Sequence, residues 1–297
     1  FRSVFRIDTG TDWPLRLISA ISHNVAGRSE RAAMSEFRLD LEAYFGRIQY
    51  HGRRCVHPTV LAEMHEAHTA AIPFENLDVL LRRPVRLDGA SLEAKLVRSR
   101  RGGYCFEQNL LFAQALIAEG FTVARLAARV RYGSPRINPR THMVLRVDIG
   151  RDAWLADVGF GGEGLLRPIR LREGEVARQS FWTYRIARDR GAWVLQQLRG
   201  DRPFDLYAFT EEPQEHVDYE VANWYTSTHP ESHFLRTLTA QRSTVTERII
   251  LRNRELTVDR GGPPQVRQLA GNDDVVNALR DRFGIELPPG VQLPELG

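Results

Sequence analysis

Apolar residues recur at helical spacing from Met34 to about Glu119. One predicted helix follows a serine cap in "SEFRLDLEAYFGRI", where five apolar residues lie three or four positions apart: Phe37, Leu41, Tyr44, Phe45 and Ile48. A proline near the start of "HPTVLAEMHEAHTAAI" predicts a second helix. Ser91 is the predicted N-cap of a third helix in "SLEAKLVRSR". A fourth helix begins directly after Cys105 in "RGGYCFEQNLLFAQALIAEG" and ends before Gly120.

After Gly120 the pattern changes to short β-branched or aromatic segments separated by turn residues. These segments are "FTVARLAARVRY", "THMVLRVDI", "AWLADVGF", "FWTYRIAR" and "AWVLQQLR". They predict an antiparallel β region that runs to about residue 200. Beyond it the pattern is mixed, with strand-like "TERIILRN" and "ELTV" and a final helix "DDVVNALRDRFG".

This order of elements predicts an α+β fold with a helical domain over residues 34–120 and a β domain over residues 121–205. Residues 206–297 form an interdomain segment and a smaller α/β domain. Residues 1–33 have no sustained period and precede Met34, so we interpret them as an extension that is poorly ordered.

Composition narrows the class of protein. A hydrophobic content of 42% and a charged content of 26% in 297 residues are typical of a globular protein, and no run approaches the roughly 18 apolar residues of a membrane span. The net charge of +4 comes almost entirely from arginines that alternate with acids, which argues against a nucleic-acid groove. Two cysteines are too few for a disulfide framework and suit a reducing cytoplasm.

Cys105 is a candidate nucleophile because it stands at the start of a predicted helix. Unpaired amides and the positive end of the helix dipole favour a thiolate there, and the same amides can bind an oxyanion. Gly102 and Gly103 allow the backbone to approach a ligand closely. A small buried apolar residue is the alternative for a lone cysteine.

A base for this thiol lies in a predicted hairpin between "THMVLRVDI" and "AWLADVGF". If the turn centres on Gly150 and Arg151, Asp148 faces Ala153, and His142 lies diagonal to Asp157 on one face of the sheet. A slip of one residue would separate them. An aspartate on an apolar strand needs a partner, and an imidazole is suitable. An edge-strand histidine and a turn aspartate are the alternative.

The segments "RRGGYCFEQN", "THMVLRV" and "LADVGFGG" resemble the arylamine N-acetyltransferase family in order and spacing. "LAEMHEAHTAAIPFENLDV" and "NWYTSTHPESHF" support the resemblance, which extends from about Met34 to the C-terminus. It implies a helical N-terminal domain, a β-barrel-like middle domain, a C-terminal α/β lid and a cysteine-protease-like catalytic core. It also implies a triad of Cys105, His142 and Asp157.

The reaction implied by the resemblance is ping-pong: acetyl-CoA acylates Cys105, and an arylamine or arylhydrazine then takes the acetyl group. Backbone amides of Cys105 and Phe106 would hold the oxyanion. The implied coenzyme A contacts are Phe160, Gly161, Gly162, Thr226 and Ser227. For the two glycines, a tight β-turn without a ligand is the alternative. The implied acceptor contact is Phe74, for which a purely structural role in the core is the alternative.

Three other functions remain open from the residues. A macrolactam-forming amide synthase and a transglutaminase-like thiol hydrolase use the same triad, and a non-catalytic binding module would need none of it. His57 and the two histidines of "HEAH", His65 and His68, lack a cysteine or carboxylate cluster, so we predict helix-packing or surface histidines and no metal. Arg101 forms an ion pair in the cleft or faces solvent.

Overall fold

The computed structural model describes residues 37–134, 136–200, 202–288 and 290–296. The predicted extension over residues 1–33 and the serine cap at Ser35 lie outside this part of the chain. Leu39–Gly297 form one compact unit.

The first part of this unit is helical, as the sequence predicts. Its helices are α1 (Leu41–Ile48), α2 (Pro58–Ala71), α3 (Leu77–Leu80), α4 (Gly89–Leu92), which continues as a π-helical turn (Glu93–Arg98), and α5 (Cys105–Ala118). Two predicted starts were wrong. α1 begins at Leu41, four residues after the predicted apolar Phe37, because the Asp40 side chain caps it. The N-cap of α4 is Asp88, whose carboxylate accepts the Ser91 N–H.

An eight-stranded antiparallel sheet, curved into a barrel-like form, makes up the middle of the unit. Its strands are β2 (Thr122–Val130), β3 (His142–Ile149), β4 (Asp152–Ala156), β5 (Ile169–Arg170), β6 (Val176–Gln179), β7 (Trp182–Asp189), β8 (Ala192–Arg199) and β9 (Arg202–Pro213). They lie in the order β5-β4-β3-β2-β9-β8-β7-β6. The sheet therefore runs beyond residue 200, where the sequence predicted its end, because β9 returns to pair with β2. β9 continues past residue 205, where the sequence placed the boundary between the β domain and the interdomain segment. The division into domains remains a prediction.

A second sheet of five strands joins the two ends of the unit. β1 (Phe74–Glu75) pairs with β10 (Thr239–Ser243), followed by β11 (Arg248–Arg252), β12 (Glu255–Asp259) and β13 (Gln265–Gln268). The final helix, α7 (Asn272–Phe283), packs Val275, Leu279 and Phe283 into the core shared with β10 and β11. The sequence did not predict α6 (His216–Thr228), whose apolar spacing is interrupted by polar residues.

Two features of this fold position the residues singled out in the sequence. Asp148 pairs with Ala153 in the β3–β4 hairpin, which confirms the predicted register. The start of α5 shares a hydrophobic cluster with Phe74 of β1 and Met143 of β3. The hairpin and the helix start therefore meet. No helix in the described ranges is long and apolar enough to cross a membrane.

Candidate active site

Cys105 is the first residue of α5, behind an extended Tyr104 at the N-cap. Its side chain is buried, and Sγ lies 3.5 Å from the carbonyl oxygen of Thr141, the residue before β3. Within the described part of the chain, the amides of Cys105 and Phe106 donate no hydrogen bond, as the first turn of a helix dictates. Both predicted oxyanion donors are therefore free of backbone partners.

The glycine pair before Cys105 is required by close packing. A Cβ on Gly102 would lie 2.1 Å from the carbonyl oxygen of Pro73, and one on Gly103 would lie 2.9 Å from Cβ of Glu107. Gly103 also accepts the Glu75 N–H at 3.0 Å. The hinge is thus fixed against β1 rather than open to solvent.

His142 and Asp157 form a buried hydrogen-bonded pair. His142 Nε2 donates to Asp157 Oδ2 at 2.8 Å, and both residues are at most 2% exposed. Because Asp157 occupies Nε2, Nδ1 is the ring nitrogen left for Cys105. The ring also faces Phe160 and Tyr207, with centroids 5.3 and 5.0 Å away.

The charges of this pair stabilise each other. Burial would lower the pKa of His142, but the charge of Asp157, its hydrogen bond and a hydrogen bond with Cys105 together raise that pKa above its usual range. Burial would raise the pKa of Asp157, but the charge and hydrogen bond of His142, with those of Asn109 and Gly159, lower it. An imidazolium beside a carboxylate is therefore favoured at neutral pH.

Asn109, one turn after Cys105 on α5, links the helix to the hairpin. Its Nδ2 donates to Asp157 Oδ1 at 2.9 Å and to the Met143 carbonyl at 2.8 Å, and its Oδ1 accepts the Val158 N–H at 3.1 Å. This residue was not among those predicted from the sequence. Its position four residues after Cys105, on the same helix face, is the signal that could have revealed it.

Gly159 brings the loop after β4 against the start of α5. Its N–H donates to Asp157 Oδ1 at 2.9 Å. A Cβ there would lie 2.8 Å from both Cα and the carbonyl oxygen of Cys105. This glycine was not singled out in the sequence, because a glycine's need for space depends on a neighbour distant in the chain.

The predicted coenzyme A loop packs on the second sheet. The Gly162 N–H donates to Oε1 of Gln241 on β10 at 2.5 Å. Gly161 has a φ of +93°, a conformation that favours glycine, and a Cβ there would lie 2.5 Å from the same oxygen. Phe160 contacts the His142 ring. Phe160 is therefore the member of this loop nearest the chemistry, and the Gly162 amide already has a partner.

The hydroxyl groups of Thr226 and Ser227 bond within α6. Thr226 Oγ1 donates to the Ala222 carbonyl and Ser227 Oγ to the Asn223 carbonyl, each at 2.7 Å. Their donors are thus occupied, although each oxygen can still accept a hydrogen bond. Their contact with coenzyme A stays a prediction.

Phe74 combines the two roles considered from the sequence. It is 7% exposed and belongs to the same hydrophobic cluster as Cys105. It also lines a narrow cleft together with Asp157 and Phe160, and its ring centroid lies 6.1 Å from that of Phe234. A contact with the acceptor stays a prediction.

Arg101 forms an ion pair instead of facing solvent. Its guanidinium lies 2.7 Å from Glu75 and 3.4 Å from Asp78. Lys95, the single lysine in the sequence, bridges Asp78 at 2.6 Å and Glu107 at 2.7 Å. Glu107 in turn accepts the Tyr104 N–H at 3.1 Å. This partly buried network fixes Tyr104, the residue that precedes Cys105.

The histidines of "HEAH" contact other protein groups. His65 and His68 are both fully buried and hydrogen-bonded. Across the described ranges, no group of three or more His, Cys, Asp or Glu residues could hold a metal ion.

Comparison with known proteins identifies the family. Residues 59–291 match the family model described as N-acetyltransferase. The arylamine N-acetyltransferase of Mycolicibacterium smegmatis is 43% identical over 257 residues, which cover 84% of this chain and 93% of that protein. The chain belongs to the arylamine N-acetyltransferase family. The resemblance drawn from "RGGYCFEQN" and the later motifs is thereby confirmed.

Solved structures of family members share the fold. The arylamine N-acetyltransferase of M. tuberculosis has a TM-score of 0.82 at 42% identity, covering 86% of this chain and 96% of that one. The Mycobacterium marinum enzyme in complex with CoA has a TM-score of 0.80 at 39% identity, covering 83% and 93%. The predicted α+β fold is confirmed.

Proposed function

We propose that this enzyme transfers an acetyl group from acetyl-CoA to the nitrogen of an arylamine or arylhydrazine through an acyl-cysteine on Cys105. The buried His142–Asp157 hydrogen bond beside Cys105 is the observation that carries the proposal. Family membership supports the reaction class, and a relative solved in complex with CoA supports the donor.

The first half-reaction acylates Cys105. The thiolate attacks the carbonyl carbon of acetyl-CoA, and the new S–C bond places negative charge on the oxygen, which the free amides of Cys105 and Phe106 stabilise. When the original thioester bond breaks, His142 gives its proton to the departing sulfur of CoA. The hydrogen bond from Nε2 to Asp157 keeps the imidazole oriented both before and after His142 gives up this proton.

The second half-reaction returns the enzyme to its starting state. The amine nitrogen attacks the acyl-cysteine, His142 takes its proton, and Cys105 leaves as a thiolate. Phe74 is the proposed contact of an aromatic acceptor, with Phe160 beside it in the cleft next to Asp157. Phe160, Gly161 and Gly162, with Thr226 and Ser227, remain the proposed contacts of coenzyme A.

The reaction class is tested by the release of CoA from acetyl-CoA under multiple turnover. Sustained release that requires an arylamine, with N-acetylarylamine formed in equal amount, supports the proposal. Sustained release in water alone would indicate the thiol hydrolase that the sequence left open. The comparisons do not favour that hydrolase or a macrolactam-forming amide synthase.

We place the enzyme in the cytoplasm, with small molecules as its partners and neither nucleic acid nor membrane among them. Cys55 and Cys105 are both free, and a reducing compartment would preserve the thiol that the reaction needs.

A further inference from the structure

His65 on α2 is a buried histidine with both ring nitrogens bonded to residues around the active site. Its Nε2 accepts the backbone N–H of Asp157 at 3.1 Å. Its Nδ1 donates to the carbonyl of Leu166 at 2.9 Å. Its ring packs edge-to-face with Phe112 of α5, at a centroid distance of 5.6 Å. One side chain therefore contacts both ends of the loop from Asp157 to Leu166, which includes Phe160.

The two hydrogen bonds fix the protonation of this ring. A backbone N–H only donates and a carbonyl only accepts, so the single proton must reside on Nδ1 and the ring must be neutral. Burial lowers the pKa of His65 to about 4, against smaller opposing effects of Leu166 and Asp157. The titratable groups that face it are His68 on the same helix and Asp157.

The Asp157 N–H needs this partner because the strand ladder ends before it. The last pair of the β3–β4 ladder is Leu145 with Ala156. Asp157 follows directly and is 1% exposed, so water cannot readily satisfy its amide. His65 takes the place of a strand neighbour at the residue whose carboxylate must meet His142.

We propose that His65 is a positioning residue that holds the Asp157 backbone, and through it the Asp157 carboxylate, in register with His142. The inference rests on the proposed role of the triad. His65 touches no reacting atom and acts through Asp157 alone. Its loss would displace the Asp157 carboxylate slightly and so weaken its coupling to the His142 imidazole.

Two substitutions separate the two hydrogen bonds of His65. In His65→Gln the amide oxygen reaches the position of Nε2 and can accept the Asp157 N–H. In His65→Asn the shorter amide lies near the position of Nδ1 and can donate only to Leu166. The two variants thus differ in whether they retain the contact with Asp157, and each is compared with wild type in thermal unfolding.

The readouts are the rate of acyl-enzyme formation and the pH at which His142 titrates, followed by NMR of its ring. The groups facing His142 are Asp157, Cys105 and Tyr207. His65→Asn is expected to slow acylation by about 10- to 100-fold, as small displacements of catalytic groups do, and to move the His142 midpoint down. His65→Gln should lie closer to wild type in both. Equal midpoints in all three proteins would overturn the inference.

The tautomer of His65 in the wild-type protein provides a test that needs no variant. We expect its ring nitrogens to give the ¹⁵N NMR pattern of a neutral Nδ1–H form from pH 5 to pH 8. An Nε2–H form would overturn the inference, even if both variants fail to fold. Wild-type enzyme that forms no acyl-Cys105 would instead contradict the proposed function and leave the tautomer result standing.

Discussion

His142 Nε2 donates a 2.8 Å hydrogen bond to Asp157 Oδ2. The other carboxylate oxygen, Oδ1, accepts from Asn109 Nδ2 and from the Gly159 N–H, each at 2.9 Å. Each oxygen of Asp157 thus has a separate task. One oxygen orients the imidazole, while the other fixes the carboxylate to α5 and to its own loop.

Asp157→Asn is predicted to reverse the tautomer of His142. The oxygen of the new amide will remain with its two N–H donors, so the NH₂ group will face Nε2. His142 must then carry its proton on Nδ1, toward Cys105, where it cannot accept the thiol proton. We expect kcat/KM to fall by about 10⁴-fold.

The control for this change is Asp148→Asn on the same hairpin, since Asp148 pairs with Arg146 outside the site. It should retain wild-type kcat/KM. If Asp157→Asn keeps a tenth of the activity, Asp157 is only a strand-end residue.

The stabilising effect of the His142–Asp157 pair should depend on pH in both directions. Asp157 has a lower pKa in the folded protein than its ordinary value of 3.8. Its contribution to the free energy of unfolding is therefore complete above pH 3.8 and is lost as the pH falls through the folded-state pKa. His142 has a higher pKa in the folded protein than its ordinary value of 6.5. Its contribution to the free energy of unfolding is therefore complete below pH 6.5 and is lost as the pH rises through the folded-state pKa. The Tm difference between wild type and Asp157→Asn should therefore be largest between pH 3.8 and 6.5. A difference that does not vary with pH would show that the pair is not ionised.

Gly159→Ala should disturb the site by displacing the start of α5. Its Cβ would lie 2.8 Å from Cys105 Cα and 2.7 Å from Asn109 Nδ2, so the helix and the loop must separate. Overpacking of this kind costs about 1–3 kcal/mol in unfolding free energy, and the displaced nucleophile should reduce kcat by about 100-fold.

Gly262→Ala is the matched control, because no atom lies within 4 Å of the Cβ that it would add. Thermal unfolding and steady-state kinetics of both variants check the prediction. Equal behaviour of the two variants would show that the contact between the loop and the helix is not tight in solution.

The sequence was sufficient for features determined by local pattern. The β3–β4 register followed from a turn at Gly150, and the helix start at Cys105 followed from the glycine hinge. The role of His65 was beyond its reach, because it depends on Asp157, which lies 92 residues away. The position of Asn109 one turn after Cys105 was a local signal, but its bond to Asp157, 48 residues away, was not. The predicted end of the large sheet was wrong because it also depends on a distant partner: β9 pairs with β2.

Cys55 is predicted to have no part in the reaction, because it is exposed whereas Cys105 is buried among the site residues. Cys55→Ala should retain wild-type kcat and the wild-type rate of active-site alkylation. Peptide mapping of the wild-type protein after treatment with one equivalent of iodoacetamide should locate the label at Cys105 rather than at Cys55. Loss of turnover in Cys55→Ala would identify a different nucleophile.

The most direct test of the account is to mix the enzyme with acetyl-CoA in the absence of any amine. The account predicts a burst of close to one equivalent of CoA, with an intact mass increased by one acetyl group that maps to Cys105 in "GGYCFEQN". An aryl hydrazine should then discharge the label, and Cys105→Ser should show neither the burst nor the added mass. Product that forms only when both substrates are present, with no acyl-enzyme at any time, would contradict the covalent mechanism.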